Sequence, residues 1–368
     1  MKIIADGNIA HLSDFFNEHT LGRPIELIAM AGREIDAAVI DEHQPDILLV
    51  RSVTPVNRLL LDNNKSVKFV GSATIGIDHV DVEYLAKRGI IFAHAAGCSK
   101  HSVAQYVVAA IANLRPDYFF KPINLGIIGV GNIGNTLAQY AISYGWNVLG
   151  YDPLKPPSVV NNAKLETVLQ ESNVISFHVP LTHAHNSSYP THHDYLMTQA
   201  RWQTVSDTAI IINTSRGEVL GRDDIVASPN VCVLDVFEHE PNIDAELLKA
   251  CSIVTPHIAG YTLEGKLRGT QFVYNALCNY LQVTPTVDFH TLMPAEVPLF
   301  QEVHNPLKDH ERHQLLNKIP VMYDIKADDK RLRSVANANG DIEGKDFDNL
   351  RKNYPLRREW QSYVFKIW

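Results

Sequence analysis

The chain is poor in the features that mark secreted, membrane-bound or nucleic-acid-binding proteins. Its four cysteines, at 98, 232, 251 and 278 of 368 residues, form no C-x-x-C pair. That argues against a disulfide framework or a cysteine metal site and for free thiols buried in a reducing cytoplasm. No apolar run approaches the ~20 residues that span a bilayer, and the opening Met1-Lys2-Ile3-Ile4-Ala5-Asp6 lacks the apolar core of a signal peptide. We therefore expect no membrane partner. Neither sign of charge dominates: 33 Lys and Arg stand against 41 Asp and Glu, for a net charge of −8. This balance argues against nucleic acid as a partner. Internal repeats and low-complexity tracts are missing as well. Histidine is more plentiful, with His183, His185, His192 and His193 in one loop-like stretch. They lack HExxH-type spacing, so we read a solvated loop and expect no metal.

What is present begins with Leu125-Gly126-Ile127-Ile128-Gly129-Val130-Gly131-Asn132-Ile133-Gly134. An apolar run leads directly into glycines at G-x-G-x-x-G spacing. Gly129 would allow the tight turn, Gly131 the approach of a pyrophosphate, and Gly134 close packing of helix on strand. The amide groups at Asn132 and Ile133, opening the next helix, would face the phosphates. A second apolar run, Trp146 to Tyr151, ends in Asp152, the position of a ribose-binding acid that selects NAD over NADP. Between them Ile133, Leu137, Tyr140 and Ala141 form a stripe at helical spacing.

The length implies two or three domains. Before the glycine motif, residues 2–5, 47–50, 67–70 and 90–93 read as short buried strands separated by polar-faced segments, the rhythm of a parallel sheet covered on both faces. Residues 101–114 read as a helix closed before Pro116. After Asp152, runs at 173–178, 209–212, 231–234 and 252–254 each end in polar residues. One sheet edge would thus gather Asp152, Arg216, Asp235 and His257. Beyond Gly265, Leu267, Phe272, Val273, Ala276 and Leu277 predict a long helix. From about Asn305 the chain is rich in charge and resembles a small third domain or an appendage.

The gathered residues suit oxidation of a secondary alcohol by hydride transfer. Such a reaction needs a base for the hydroxyl proton, a cation for an anionic substrate group and a partner for the base. His257 is the natural base, Glu240 its candidate partner, and Arg216 can grip a carboxylate through its planar fork. Taken singly, a strand-end histidine is more often structural, and Glu238 or Glu240 could be a solvated charge. It is their order behind a dinucleotide motif that makes the set specific.

That order, with Ile-Asn-Thr-Ser-Arg-Gly ending at Gly217, Leu-Asp-Val-Phe-Glu-His-Glu-Pro ending at Pro241 and Thr-Pro-His-Ile-Ala-Gly ending at Gly260, resembles the D-isomer-specific 2-hydroxyacid dehydrogenases. The resemblance implies that Arg216, Glu240 and His257 are catalytic and that the cofactor is NAD. It places NAD contacts at Asp152, Asp235 and Gly260, and also at Val179, where relatives often have threonine. Residues 50–54, 71–81, 257–266 and 350–360 narrow the match to a branch acting on a small phosphorylated hydroxy acid. For that branch Ser52, Thr74 and Tyr261 would contact substrate. Arg51 is our first choice for the phosphate, with Lys266, Arg351, Arg357 and Arg358 as further candidates. The implied architecture is α/β: a Rossmann-type doubly wound sheet (98–262), a discontinuous flavodoxin-like substrate domain (1–97, with a returning helix at 263–285) and a small α+β dimerisation domain (286–368). A cytoplasmic homodimer is expected. The rivals are a sibling dehydrogenase of another small hydroxy acid and an NAD(H)-sensing binding protein.

Overall fold

Short strands with apolar residues on both faces, each ending in a polar turn, build two parallel sheets in this computed structural model. It describes residues 1–154, 160–182, 196–301, 303–363 and 365. The histidine-rich stretch 183–193 lies outside the described residues. The chain divides into two units, one of Met1–Ser99 with Leu263–Pro294 and one of Lys100–Thr262 with Ala295–Trp368.

In the first unit, β1 (Lys2–Asp6), β2 (Glu26–Met30), β3 (Ile47–Val50), β4 (Phe69–Ser72) and β5 (Ile91–His94) pair in the order β2-β1-β3-β4-β5, every pair parallel. One face packs on the helix Leu263–Leu281, where Leu267, Val273 and Leu277 join Ile3, Leu49 and Phe69. The opposite face buries Ile4, Leu48, Val50, Val70 and Leu85. The run read from the sequence as 67–70 is shifted by two residues, because the strand takes in Gly71 and Ser72. Gly71 lies where a Cβ would enter the Val273 side chain, so helix and sheet meet there. Phe272 does not join the buried face as expected; it is 38% exposed. The helical pitch turns it away from its neighbour Val273. The edge strand β2 is not among the runs read from the sequence, although residues 27–30 are an apolar run; it has a single neighbour and none of its residues is fully buried.

The second unit holds β6 (Asn124–Ile128), β7 (Asn147–Tyr151), β8 (Asn161–Asn162), β9 (Val174–Phe177), β10 (Ile210–Asn213), β11 (Val231–Leu234) and β12 (Cys251–Val254). They pair in the order β12-β11-β10-β9-β6-β7-β8, again all parallel. From β6 the chain moves outward through β7 and β8, then returns to β9 on the other side. The turn after β6 therefore stands at the topological switch point, where open α/β sheets bind ligands. The stripe foreseen on the next helix, Asn132–Ser143, is real: Leu137, Tyr140 and Ala141 are fully buried, and Ile133 packs beside them.

Where an α+β appendage is expected, the described residues of 295–368 form the helices Asp309–Met322, Ile325–Arg333 and Gly344–Lys352. Their β pairing is confined to isolated bridges, Ile342 with Ile243 and Arg357 with Thr262. Leu315, Trp360 and Phe365 share one apolar core with Val107, Ile127 and Tyr140. All four cysteines are buried and none is in a disulfide, and burial pushes the Cys232 thiol up to about 12. Among the described residues no helix is long and apolar enough to cross a membrane.

Candidate active site

At the turn after β6, Gly129 has φ +90, a region closed to most side chains. A Cβ there would meet the His178 carbonyl oxygen at 2.5 Å and the Val179 side chain at 2.9 Å. At Gly134 a Cβ would overlap the Gly129 carbonyl, so helix and turn touch backbone to backbone. Gly131 is different: a Cβ there would meet nothing within 4 Å. It opens the helix Asn132–Ser143 and has no side chain to cap the first turn, leaving those amide groups for an acceptor from outside. Asp152 closes the other end. Its Oδ2 accepts from the Val130 amide at 3.0 Å and its Oδ1 from the Leu154 amide at 3.0 Å. Open space at the middle glycine, an uncapped helix start and a carboxylate fixed beside them fit a dinucleotide with an unmodified ribose.

Across the same sheet edge, β11 ends in Asp235 and β12 in the loop that carries His257. Asp235 is buried, and both its oxygens are used. Oδ1 accepts from Thr255 Oγ1 at 2.6 Å and the Ile258 amide at 2.7 Å, and Oδ2 from the Ala259 amide at 2.8 Å. Burial pushes its carboxyl up to about 6, against the pull of His257 and of these three donors. Asp235, the residue also expected as a cofactor contact, anchors the histidine loop. His257 itself adopts φ +54, unusual for a residue with a side chain. Its Nδ1 lies 2.8 Å from Glu240 Oε2, while Glu240 Oε1 accepts from the Phe237 amide at 2.9 Å. Burial opposes the charged form of Glu240, but His257, the Phe237 amide and Arg351 outweigh it and hold the carboxyl below its ordinary range. With Nδ1 donating to a carboxylate, the neutral ring carries its lone pair on Nε2, the atom that can take a proton.

Arg216 follows β10 in a loop organised by Asn213, whose Nδ2 donates to the Arg216 carbonyl at 2.8 Å. Asn213 Oδ1 accepts from the Ser215 amide and hydroxyl. Arg216 Nη1 donates to the Ser215 carbonyl at 2.7 Å. At Gly217 a Cβ would lie inside the Phe237 backbone, which brings the arginine loop directly against the glutamate loop. Three elements far apart in sequence are thereby brought to one edge. Tyr261 packs its ring on Tyr354, with centroids 6.1 Å apart, and under the Arg351 guanidinium at 5.7 Å.

The remaining expected residues belong to the first unit. Arg51 and Ser52 follow β3, Ser52 being exposed and Arg51 half-buried. Thr74 follows β4, where its hydroxyl donates to the Gly76 carbonyl at 3.0 Å. Ser72, 2.7 Å from that hydroxyl, must then donate to it, and His79 Nε2 to Ser72 at 3.0 Å. Sequence reasoning missed Asn213, Thr255 and the reach of Arg357 into the histidine loop. An asparagine ending a strand ahead of the arginine was the one available signal. A cavity of about 400 Å³, lined in part by Arg222, Glu238, Asn242 and Glu343, contains none of Arg216, Glu240 or His257.

Known proteins fit this geometry. Residues 118–259 match the D-isomer specific 2-hydroxyacid dehydrogenase, NAD binding domain, and residues 298–367 match a family described as a domain of unknown function, DUF3410. An erythronate-4-phosphate dehydrogenase of Psychrobacter cryohalolentis is 50% identical over 100% of this chain and 99% of its own. One of Acinetobacter baylyi is 42% identical over 99% of each chain. Among solved structures, a glyoxylate reductase of Paecilomyes thermophila has a TM-score of 0.65 at 20% identity, covering 79% of this chain and 99% of its own. A D-lactate dehydrogenase of Aquifex aeolicus, solved with NAD and lactic acid, has a TM-score of 0.59 at 22% identity, covering 76% and 95%. These two structures speak for the fold. With full-length identity of this order and an NAD-binding domain whose glycine turn, arginine and glutamate–histidine pair stand on one sheet edge, the chain belongs to the erythronate-4-phosphate dehydrogenase family of D-isomer-specific 2-hydroxyacid dehydrogenases.

Proposed function

We propose that this chain oxidises 4-phospho-D-erythronate at C2 to (R)-3-hydroxy-2-oxo-4-phosphooxybutanoate, a step of pyridoxal 5'-phosphate biosynthesis. The observation that carries the chemistry is the His257–Glu240 hydrogen bond of 2.8 Å on the sheet edge of a dinucleotide turn. Likeness to the named relatives over the full length of the chain supports the substrate.

In this reading Arg216 holds the substrate carboxylate through its planar fork. His257 Nε2 takes the C2 hydroxyl proton, and Glu240 stabilises the imidazolium that results. Bound NAD supplies the hydride acceptor. Asn132, Ile133 and the open face at Gly131 receive the pyrophosphate, and Asp152 the ribose. Val179, Asp235 and Gly260 complete the assigned cofactor contacts. Ser52, Thr74 and Tyr261 contact substrate, and Arg51 is the first assignment for its phosphate, with Lys266 ranked behind it. The protein acts as a cytoplasmic homodimer joined through residues 286–368, a state that sedimentation of the purified protein checks.

Steady-state assay of the purified chain tests the reading. Turnover with 4-phospho-D-erythronate and NAD is expected, with 3-phosphoglycerate, glycerate and glycolate turned over at least tenfold less efficiently. A preference for one of those three would assign the chain to a sibling activity. A calorimetric titration should show NAD binding more tightly than NADP, because a 2′-phosphate would meet the Asp152 carboxylate; equal affinity would overturn that assignment.

A further inference from the structure

The loop after β12 is held from two sides by opposite charges. On its amide side, Asp235 accepts from Ile258 and Ala259 at 2.7 and 2.8 Å. On its carbonyl side stands Arg357, from the segment that follows the last helix. Arg357 Nη1 donates to the Ile258 carbonyl at 3.0 Å and the Tyr261 carbonyl at 3.4 Å. Its Nη2 donates to the Ala259 carbonyl and, at 3.4 Å, to the Ser102 carbonyl. The Ile258 carbonyl and the Ala259 amide belong to one planar trans peptide, whose two polar groups point in opposite directions. One peptide group is therefore pinned at both ends, by a carboxylate and by a guanidinium.

Two further contacts fix the guanidinium. It lies over the Tyr323 ring at 4.1 Å. Nη1 also donates to Tyr354 Oη at 3.2 Å, and that hydroxyl donates to Asp328 Oδ2 at 2.7 Å. Tyr323 in turn packs against Tyr106, whose hydroxyl lies 2.8 Å from Thr255 Oγ1. Because Thr255 gives its proton to Asp235, Tyr106 must be the donor in that pair. The two jaws of the clamp are thus joined through the core. His257, immediately before the clamped residues, has φ +54, a conformation that persists only where its surroundings over-determine it.

We propose that Arg357 is a positioning residue: with Asp235 opposite, it clamps the 258–261 loop and so sets the aim of the His257 ring. The C-terminal segment then serves the reaction directly, beyond any part in joining two copies. A planar fork with five N–H groups spans several carbonyls at once, which a lysine does only in part. This rests on the reading of His257 as proton acceptor.

The test uses the full-length protein carrying Arg357→Ala or Arg357→Lys, assayed with 4-phospho-D-erythronate and NAD. Misaiming a catalytic group by about 1 Å costs about 100-fold in rate. Arg357→Ala is expected to lose about that factor in kcat, with KM for both substrates within threefold of the parent. Arg357→Lys is expected to lose roughly tenfold. Millimolar methylguanidine should restore at least fivefold to the folded alanine variant and nothing to the parent. A folded alanine variant with kcat within threefold of the parent, or one that methylguanidine leaves unchanged, overturns the proposal. Should the alanine variant fail to fold, the lysine variant decides, and kcat within twofold of the parent overturns it. NMR of the His257 ring in the same variants separates this idea from the assignment of substrate. The clamp predicts a displaced or broadened His257 resonance even if the parent oxidises a different hydroxy acid.

Discussion

Glu240 and His257 share one proton-handling task through their 2.8 Å hydrogen bond. Replacing His257 with alanine, or Glu240 with glutamine, should lower kcat by about 100-fold or more, with folding preserved by circular dichroism; near-normal turnover in His257→Ala would remove it as the base. Asp235 predicts a different effect. Its carboxyl is pushed up to about 6 in the folded chain, above the ~4 of an unfolded aspartate. Between these values the folded state binds the proton and the unfolded state does not, so stability from this group is lost as pH rises from about 4 to about 6. Thermal melts of the parent and of Asp235→Asn should show the gap in Tm changing to the parent's disadvantage across that window and staying flat above it. Glu240 has the reverse sign. Held below its ordinary range, it adds stability above the usual carboxylate pKa and loses it as pH falls further.

At the scale of elements, the glycines of the site separate folding from binding. Gly131 has room for a Cβ and an ordinary backbone conformation. Gly131→Ala should therefore leave Tm within a degree or two and weaken NAD binding at least tenfold by calorimetry. Gly134→Ala should lower Tm, since its Cβ would enter the Gly129 carbonyl. At Gly217 the same overlap involves the Phe237 backbone. Gly217→Ala should push the arginine and glutamate loops apart, lowering kcat by about 100-fold while NAD affinity stays near that of the parent.

For the whole molecule, the described residues of 295–368 pack into the core of the dinucleotide-binding unit. Trp360 is 1% exposed, packs on Tyr140 and Phe365, and its amide donates to Gln105 Oε1 at 3.1 Å. Trp360→Ala should cost about 3–5 kcal/mol in denaturant unfolding. A loss below about 1 kcal/mol would show that the segment folds and unfolds apart from the sheet.

Local pattern determined much of this protein. The glycine spacing before Asn132, the apolar runs ending in Asp152, Arg216, Asp235 and His257, and the long helix before Leu281 were legible because period and turn chemistry are written in consecutive residues. The two-residue offset of β4 was not, since hydrogen bonding to a neighbour, rather than local propensity, sets where such a strand begins; β2 was missed although its residues 27–30 form an apolar run. Only tertiary structure decided that Gly217 must be glycine, that Asp235 holds a loop, and that Arg357 closes on it 100 residues after His257. Those contacts join backbone groups whose positions depend on every intervening turn, and no spacing in the chain encodes them.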